Sequence, residues 1–278
     1  MSETSPAERF GDVIFAVDKH VATVTLDRPQ ARNALNDSIR AGIDAALARI
    51  RQGAGDEIRS VVLTGAGGAF CAGGDISTLS DYAGKPAAAM RQRMRDAHDR
   101  VRTLINLDLP VVAAVDGAAA GAGFTLALAC DFVLASPRAR FVMSFARIGL
   151  VPDWGAFYLL PRIVGLQMAK ELVFSARTVG AEEAKSLGIV HRIHHADALP
   201  AAAQAFAARF NDASPLALGL AKQALNRSFE LDLDALLDIE ANAQALANNS
   251  AYHRDAVARF LAKEPLAFAW ERYAEDEG

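Results

Sequence analysis

An α/β fold with a helical C-terminal region is predicted by three features of the sequence. Short β-rich apolar runs recur through the first part of the chain, stretches of helical apolar spacing or small-residue loops separate them, and an alanine-rich helical pattern takes over after about Ala181. With 278 residues, 52% of them hydrophobic, the chain can bury a large core. Alternation of strands and helices implies βαβ-type units, and no repeat with a period of roughly 20 to 50 residues is visible.

The elements follow in order. Runs at 13–17 and 21–26 flank the polar Asp18, Lys19 and His20, which predicts a hairpin. Asn36 can cap a helix whose apolar face is drawn by Ile39, Ile43, Leu47 and Ile50, with Gly53 and Gly55 as its stop. An apolar run at 60–64 leads straight into the small-residue loop GAGGAFCAGGD at 65–75. The pattern returns when PVVAAV at 110–115 precedes DGAAAGAG at 116–123, with a helix expected over 125–130. Further runs at 132–135 and 140–143 precede GLVPD at 149–153. Met90 and Met94 lie at helical spacing between Asp81 and Leu107, a region that suits either ordinary helix packing or an acyl-pocket lid. Beyond Ala181, polar breaks near 211–214, 226–228, 248–250 and 264–265 divide the helices.

Bulk properties narrow the function. The 29 basic and 33 acidic residues give a formal charge of −4 and are mixed along the chain, so no basic face for nucleic acid or membrane is expected. No signal-peptide order and no membrane-length apolar run is seen, and a cytoplasmic location is the expectation. Two cysteines, Cys71 and Cys130, are too few for a disulfide framework and lack zinc-site spacing. HRIHH at 191–195 lacks the carboxylate spacing of a metalloprotease helix and reads as an exposed strand end. Cys71 has no nucleophile-elbow context and reads as a small buried thiol. Neither glycine loop satisfies a dinucleotide fingerprint, because Phe70 stands where a third glycine belongs in the first and Leu126 does so in the second.

A loop almost free of side chains lets backbone N–H groups approach a ligand. Two such loops can aim two donors at one point, which stabilises the oxygen that becomes negative when a thioester forms an enolate. The same glycines also suit tight turns or close packing.

RPQARNALN at 28–36, FCAGGDI at 70–76, DGAAAGAG at 116–123 with Cys130 and Asp131, and GLVPD at 149–153 with LPR at 160–162 resemble the enoyl-CoA hydratase/isomerase (crotonase) superfamily in order and spacing. The resemblance runs from about Val13 to Phe268. It implies a crotonase-like ββα spiral core over residues 1–195, carrying the CoA and acyl-thioester site, and a helical region at 196–278 for trimerisation and CoA cover. It assigns Gly74 and Ala122 as the oxyanion donors. It places Arg32, Ala34, Leu35, Ala72, Gly73, Asp75 and Ile76 along the bound CoA, and Phe260 and Lys263 at the CoA of a neighbouring subunit in a trimer or a dimer of trimers. Arg32 and Lys263 would meet the phosphates, although each also suits a solvated surface. Asp75 is expected to organise its own loop.

The two glutamates that the superfamily's hydratases use match Thr125 and Phe145 here, and neither side chain can move a proton. Asp153 matches the catalytic aspartate of several isomerases in the superfamily, and the string SFARIGLVPD at 144–153 is most similar to the 1,2-epoxyphenylacetyl-CoA isomerase branch, an enzyme of phenylacetate degradation. Asp153 also suits an N-cap, since Pro-Asp before an apolar run starts many helices. The resemblance therefore implies an isomerase acting on an unsaturated or ring-modified acyl-CoA, with Asp153 as acid/base, an acyl pocket formed by Phe124, Thr125, Phe145 and Trp154, no metal, and no cofactor beyond the CoA of the substrate. A 2-enoyl-CoA hydratase and a non-catalytic CoA- or RNA-binding member are the alternatives.

Overall fold

The computed structural model describes residues 6–78 and 85–270. Strands β1 (Glu8–Phe10), β2 (Val13–Asp18), β3 (Val21–Leu26), β4 (Ser60–Gly65), β5 (Val111–Val115), β7 (Phe132–Ala135) and β10 (Arg192–Ile193) form one sheet in the order β1-β2-β3-β4-β5-β7-β10. The hairpin of β2 and β3 closes on Lys19 and His20, both with positive φ, between the paired Asp18 and Val21. From β3 onward the pairing is parallel, because helices α1 (Asp37–Gly53), α2 (Ala87–Ile105) and α3 (Ala122–Leu128) carry the chain back between strands.

Period-2 alternation divides the sheet cleanly. Val61, Leu63, Val111, Ala113, Val115, Val133 and Ala135 face the larger core, where α1 buries Ile39, Ile43, Leu47 and Ile50. Val62, Val112, Ala114 and Leu134 face the other side, against Leu199, Ala203, Phe206 and Phe210 of α7 (Leu199–Ala208) and the turn after it. Each valine, leucine, isoleucine or phenylalanine among them contributes roughly 1.5–3 kcal/mol by leaving water. Asn36 caps α1 as expected, accepting from the Ile39 N–H at 2.8 Å.

Two features differ from the expectations. The second glycine loop contains a short strand, β6 (Ala118–Ala120), which pairs with β8 (Arg140–Val142) and through it with β9 (Thr178–Gly180) in a separate sheet. Alanines carry no β signal, and Ala119 is held there by bridging to Cys71. Helix α3 starts at Ala122, not Thr125, and ends at Leu128, so its first turn is made by the loop's own small residues. Helix α7 packs on the sheet, and α8 (Pro215–Arg227) is tied to the core by Lys222, whose Nζ donates to the Leu109 carbonyl at 2.9 Å and meets Asp131 at 2.7 Å. Helices α9 (Leu233–Asn248) and α10 (Ala251–Leu261) have no buried residue. Between β8 and α7 the chain adds α4 (Ala156–Val164), α5 (Leu166–Ser175) and α6 (Ala181–Ser186). No described helix is long and apolar enough to cross a membrane.

Candidate active site

The first glycine loop is fixed from below by Asn33. This residue has φ 56, is fully buried, accepts from the Arg28 N–H at 2.8 Å, and donates from Nδ2 to the carbonyls of Ala66 at 2.9 Å and Ala69 at 2.7 Å. A buried amide with these bonds made is worth far more in place than removed, since its carbonyl partners would be left unpaired. Sequence reasoning missed this role. The only local signal is an asparagine, a residue that tolerates left-handed backbone, two positions before Leu35.

The same loop is gripped at its far end. The Leu35 N–H donates to Gly73 O at 2.7 Å, and Ala72 N–H to Arg32 O at 2.9 Å. Asp75 receives the Arg28 guanidinium at 2.5 Å and, on its other oxygen, the Ser77 N–H at 3.0 Å and hydroxyl at 2.6 Å. The Ser77 hydroxyl first, and the Arg28 guanidinium after it, hold the Asp75 carboxyl below its ordinary range. Asp75 therefore organises its own loop, and its carboxylate does not line the cavity.

The two glycine loops approach each other to within contact of bare backbone. Any Cβ on Gly123 would sit 2.2 Å from Cys71 O, and one on Gly73, where φ is +89, would sit 2.6 Å from Ala120 O and 3.5 Å from the Ala122 nitrogen. This explains the glycines physically. It also brings Gly74 and Ala122 to one cavity of about 470 Å³, and among the described residues neither N–H donates to a protein acceptor. Ala122 opens α3, where a backbone N–H has no partner within its helix.

Asp153 faces the same cavity. It is not a helix cap: α4 begins at Ala156, its N-cap is Gly155, and no side chain caps it. The turn before α4 is left-handed at Trp154, with φ 54, and at Gly155, with φ 86, and is closed by the Ala156 N–H on Asp153 O at 3.1 Å. The Trp154 indole, 3% exposed, packs into the core and anchors this turn. Asp153 Oδ1 is buried without a hydrogen-bond partner among the described residues. Burial pushes the carboxyl up to about 6, with Arg93 and then Arg40 pulling it back.

Of the expected acyl-pocket residues, Phe145 and Trp154 line the cavity, and Met90 and Met94 of α2 do as well. Residues 81–84 of the suggested lid lie outside the described residues. Phe124 and Thr125 do not line the cavity. Phe124 is packed against Phe141 with ring centroids 5.2 Å apart, and Thr125 is fully buried with its hydroxyl toward Gly121 O at 3.4 Å. Both lie on α3, every residue of which is buried, and both side chains are packed in the core. Of the positions expected along CoA, Leu35, Ala72, Gly73 and Ile76 line the cavity, whereas Arg32, Ala34 and Asp75 do not. Phe260, 72% exposed, and Lys263 lie on α10 and the turn after it, apart from this chain's own cavity.

The remaining candidates are placed elsewhere. Cys71 is buried with its thiol pushed up to about 12 by desolvation, which keeps it protonated and unreactive. His191 packs its ring against Phe132 and Phe206. No group of three metal-ligating side chains comes together among the described residues. A second cavity of about 500 Å³ lies between α8 and the core, where Lys222 and Asp131 are already paired.

This architecture is shared widely. The family described as enoyl-CoA hydratase/isomerase matches residues 16–272. A protein of Escherichia coli strain K12, 1,2-epoxyphenylacetyl-CoA isomerase, is 38% identical, with 92% of this chain and 97% of that protein aligned. A short-chain-enoyl-CoA hydratase of Clostridium acetobutylicum is 34% identical over 92% of this chain and 96% of its own length. The crystal structure of an enoyl-CoA hydratase/isomerase from Cupriavidus metallidurans CH34 superposes with a TM-score of 0.89 at 42% identity, covering 94% of this chain and 97% of that one.

Proposed function

Since the chain belongs to the enoyl-CoA hydratase/isomerase family of the crotonase superfamily, we propose that it is an acyl-CoA isomerase in which Asp153 moves a proton along an unsaturated or ring-modified acyl group. One observation carries the choice of isomerase over hydratase. Asp153 is the only carboxylate lining the cavity among the described residues; its Oδ1 is buried without a partner there, and the group is raised to about 6. Such a group is half ionised at about pH 6 and mostly ionised at neutrality, yet binds a proton more readily than an ordinary carboxylate, which suits taking and returning a proton at carbon.

The mechanism follows from the site. The thioester oxygen sits against the N–H groups of Gly74 and Ala122, which stabilise the charge that develops as a dienolate forms. Asp153 removes a proton from the γ carbon and delivers it to carbon 2, or works in reverse. Phe145 and Trp154 exclude water, which favours return of the proton to carbon over its loss. Hydration needs a second group to activate water, and Thr125 and Phe145 supply none. The reaction needs no redox or metal partner. The reading includes a trimer in the cytoplasm, with Phe260 and Lys263 completing the CoA site of a neighbouring copy; the exposed Leu233, Leu237, Phe260 and Leu261 on α9 and α10 support a covered face there.

The test compares the native chain and Asp153→Asn on 3-enoyl-CoA and 2-enoyl-CoA, following double-bond migration and water addition separately. Migration should dominate and fall about a thousandfold in the variant. Hydration that outpaces migration, or migration undiminished in Asp153→Asn, would overturn the assignment.

A further inference from the structure

The two backbone donors are held by different means. The Ala122 N–H is set by the opening of α3, whereas the Gly74 N–H belongs to a pair of consecutive glycines, Gly73 and Gly74, with no side chain of their own to stiffen them. Their direction is fixed from outside, by Leu35. Leu35 bridges Gly74 in parallel fashion: its N–H donates to Gly73 O at 2.7 Å, and its carbonyl accepts the Asp75 N–H at 3.4 Å. The residue between two such bonds turns its own N–H to the opposite side. The bridge to Leu35 therefore aims the Gly74 N–H at the cavity that Gly74 lines.

The second of these bonds is long, and the Leu35 carbonyl has a stronger partner. Arg40 lies near the start of α1, where a side chain leans back toward the N-terminus, and its Nη2 donates to Leu35 O at 2.6 Å. Its Nη1 meets Asp37 at 2.8 Å, and the side chain is only 11% exposed, along the cavity wall. Arg28 grips the preceding carbonyl, Ala34 O, at 3.3 Å and holds Asp75 beyond the glycines. Two guanidinium groups thus hold consecutive carbonyls of the segment against which the glycines lie. A charged donor makes roughly twice the bond of a neutral one. The helix itself does not require Arg40 there, because α1 is already capped by Asn36.

Resting on the acyl-CoA reading above, we propose that Arg40 is a positioning residue for the oxyanion hole: by fixing the Leu35 carbonyl it fixes the bridge to Gly74, and with it the direction of the Gly74 N–H. The thioester oxygen feels Arg40 through that amide. A donor held in place before the substrate arrives costs no reorganisation as charge develops, so loosening it lowers turnover more than binding.

Infrared difference spectra of bound hexanoyl-CoA, isotope-labelled at its carbonyl carbon, test this on the full chain without turnover and so without Asp153 as acid/base. In the native chain the carbonyl stretch should lie below its value in water, because the two donors polarise the bond. Arg40→Met should return it toward the value in water and lower kcat for double-bond migration about tenfold or more, with KM within about twofold. Arg40→Lys, which keeps a charged donor, should restore most of both. Asp37→Asn, which removes only the outer contact of Arg40, should leave the stretch unchanged. If Arg40→Met lowers the melting temperature, Arg40→Gln is read in its place with the same direction expected. A stretch that is the same in the native chain and in the Arg40 variants would overturn the proposal. So would a loss of kcat that vanishes at pH 9, where Asp153 is ionised with or without Arg40, since Arg40 would then act on that carboxyl. A native chain that binds hexanoyl-CoA with no carbonyl shift would overturn the oxyanion hole itself, and failure to bind would remove the acyl-CoA reading as well.

Discussion

Asp75 and Asp153 both belong to segments that shape the cavity, and their surroundings are opposite. Asp75 adjoins Gly74, gives both oxygens to Arg28 and Ser77, and is held below the usual carboxylate range. Asp153 has a buried oxygen with no partner among the described residues and is pushed up to about 6. A carboxylate whose bonds are complete serves the backbone around it, whereas one left short of partners in a desolvated cavity retains the affinity for a proton that acid/base chemistry requires. The donors at Gly74 and Ala122 belong with the second kind, as polar groups left open.

That contrast can be broken in graded steps. Beyond the loss of turnover in Asp153→Asn, the largest effect is expected from Ala122→Pro, because proline is tolerated at the first position of a helix but has no N–H. Turnover should fall about 10²- to 10³-fold with the circular dichroism spectrum preserved, and a smaller loss would mean that the second donor is not needed. Asp75→Asn should act through stability. Removing the charge from the Arg28 and Ser77 contacts should cost about 1–3 kcal/mol near neutrality, seen in urea unfolding. Asp75 is depressed on folding, so its contribution is present above the carboxylate's unfolded value of about 3.9 and is lost as pH falls through the lower folded value; the gap between native and variant should close in acid.

On stability, Asp153→Asn should show the reverse sign and the smaller effect. Its folded value lies above the unfolded one, so the ionised group destabilises the native chain increasingly between about pH 4 and pH 6 and fully above that. The amide should raise stability by about 1 kcal/mol at pH 8 and by nothing at pH 4, measured as a shift in Tm. A lower Tm at pH 8 would place Asp153 with Asp75 as a satisfied group.

The main sheet was legible because its strands obey simple rules. Val61, Val62 and Leu63, or Val111 through Val115, are continuous apolar runs, as strands covered on both faces must be, and Asn36 carries its own capping signal. Ala118–Ala120 was not legible, since a strand of alanines exists only because the other glycine loop and β8 lie beside it. Asn33 escaped notice for a similar reason: its partners are 33 and 36 residues away, and no local pattern specifies them. The same holds for Arg93 and Arg100, which no local pattern singles out and which become cavity wall only when α2 is laid against α1 and the turn at Asp153. Phe124 and Thr125 lie on a helix buried all round, where no apolar periodicity tells which side chains reach the cavity. Asp153 could be either a cap or a catalyst from its sequence context, and the left-handed Trp154 and Gly155, which delay the helix to Ala156, removed the cap.

The pH dependence of kcat/KM for double-bond migration tests the central claim most directly. With Asp153 as the base, the rate on 3-enoyl-CoA should fall tenfold per pH unit below an inflection at about 6. The residual rate of Asp153→Asn should lack that limb. An acid limb at the same position in Asp153→Asn would contradict the account, because the proton would then be carried by another group.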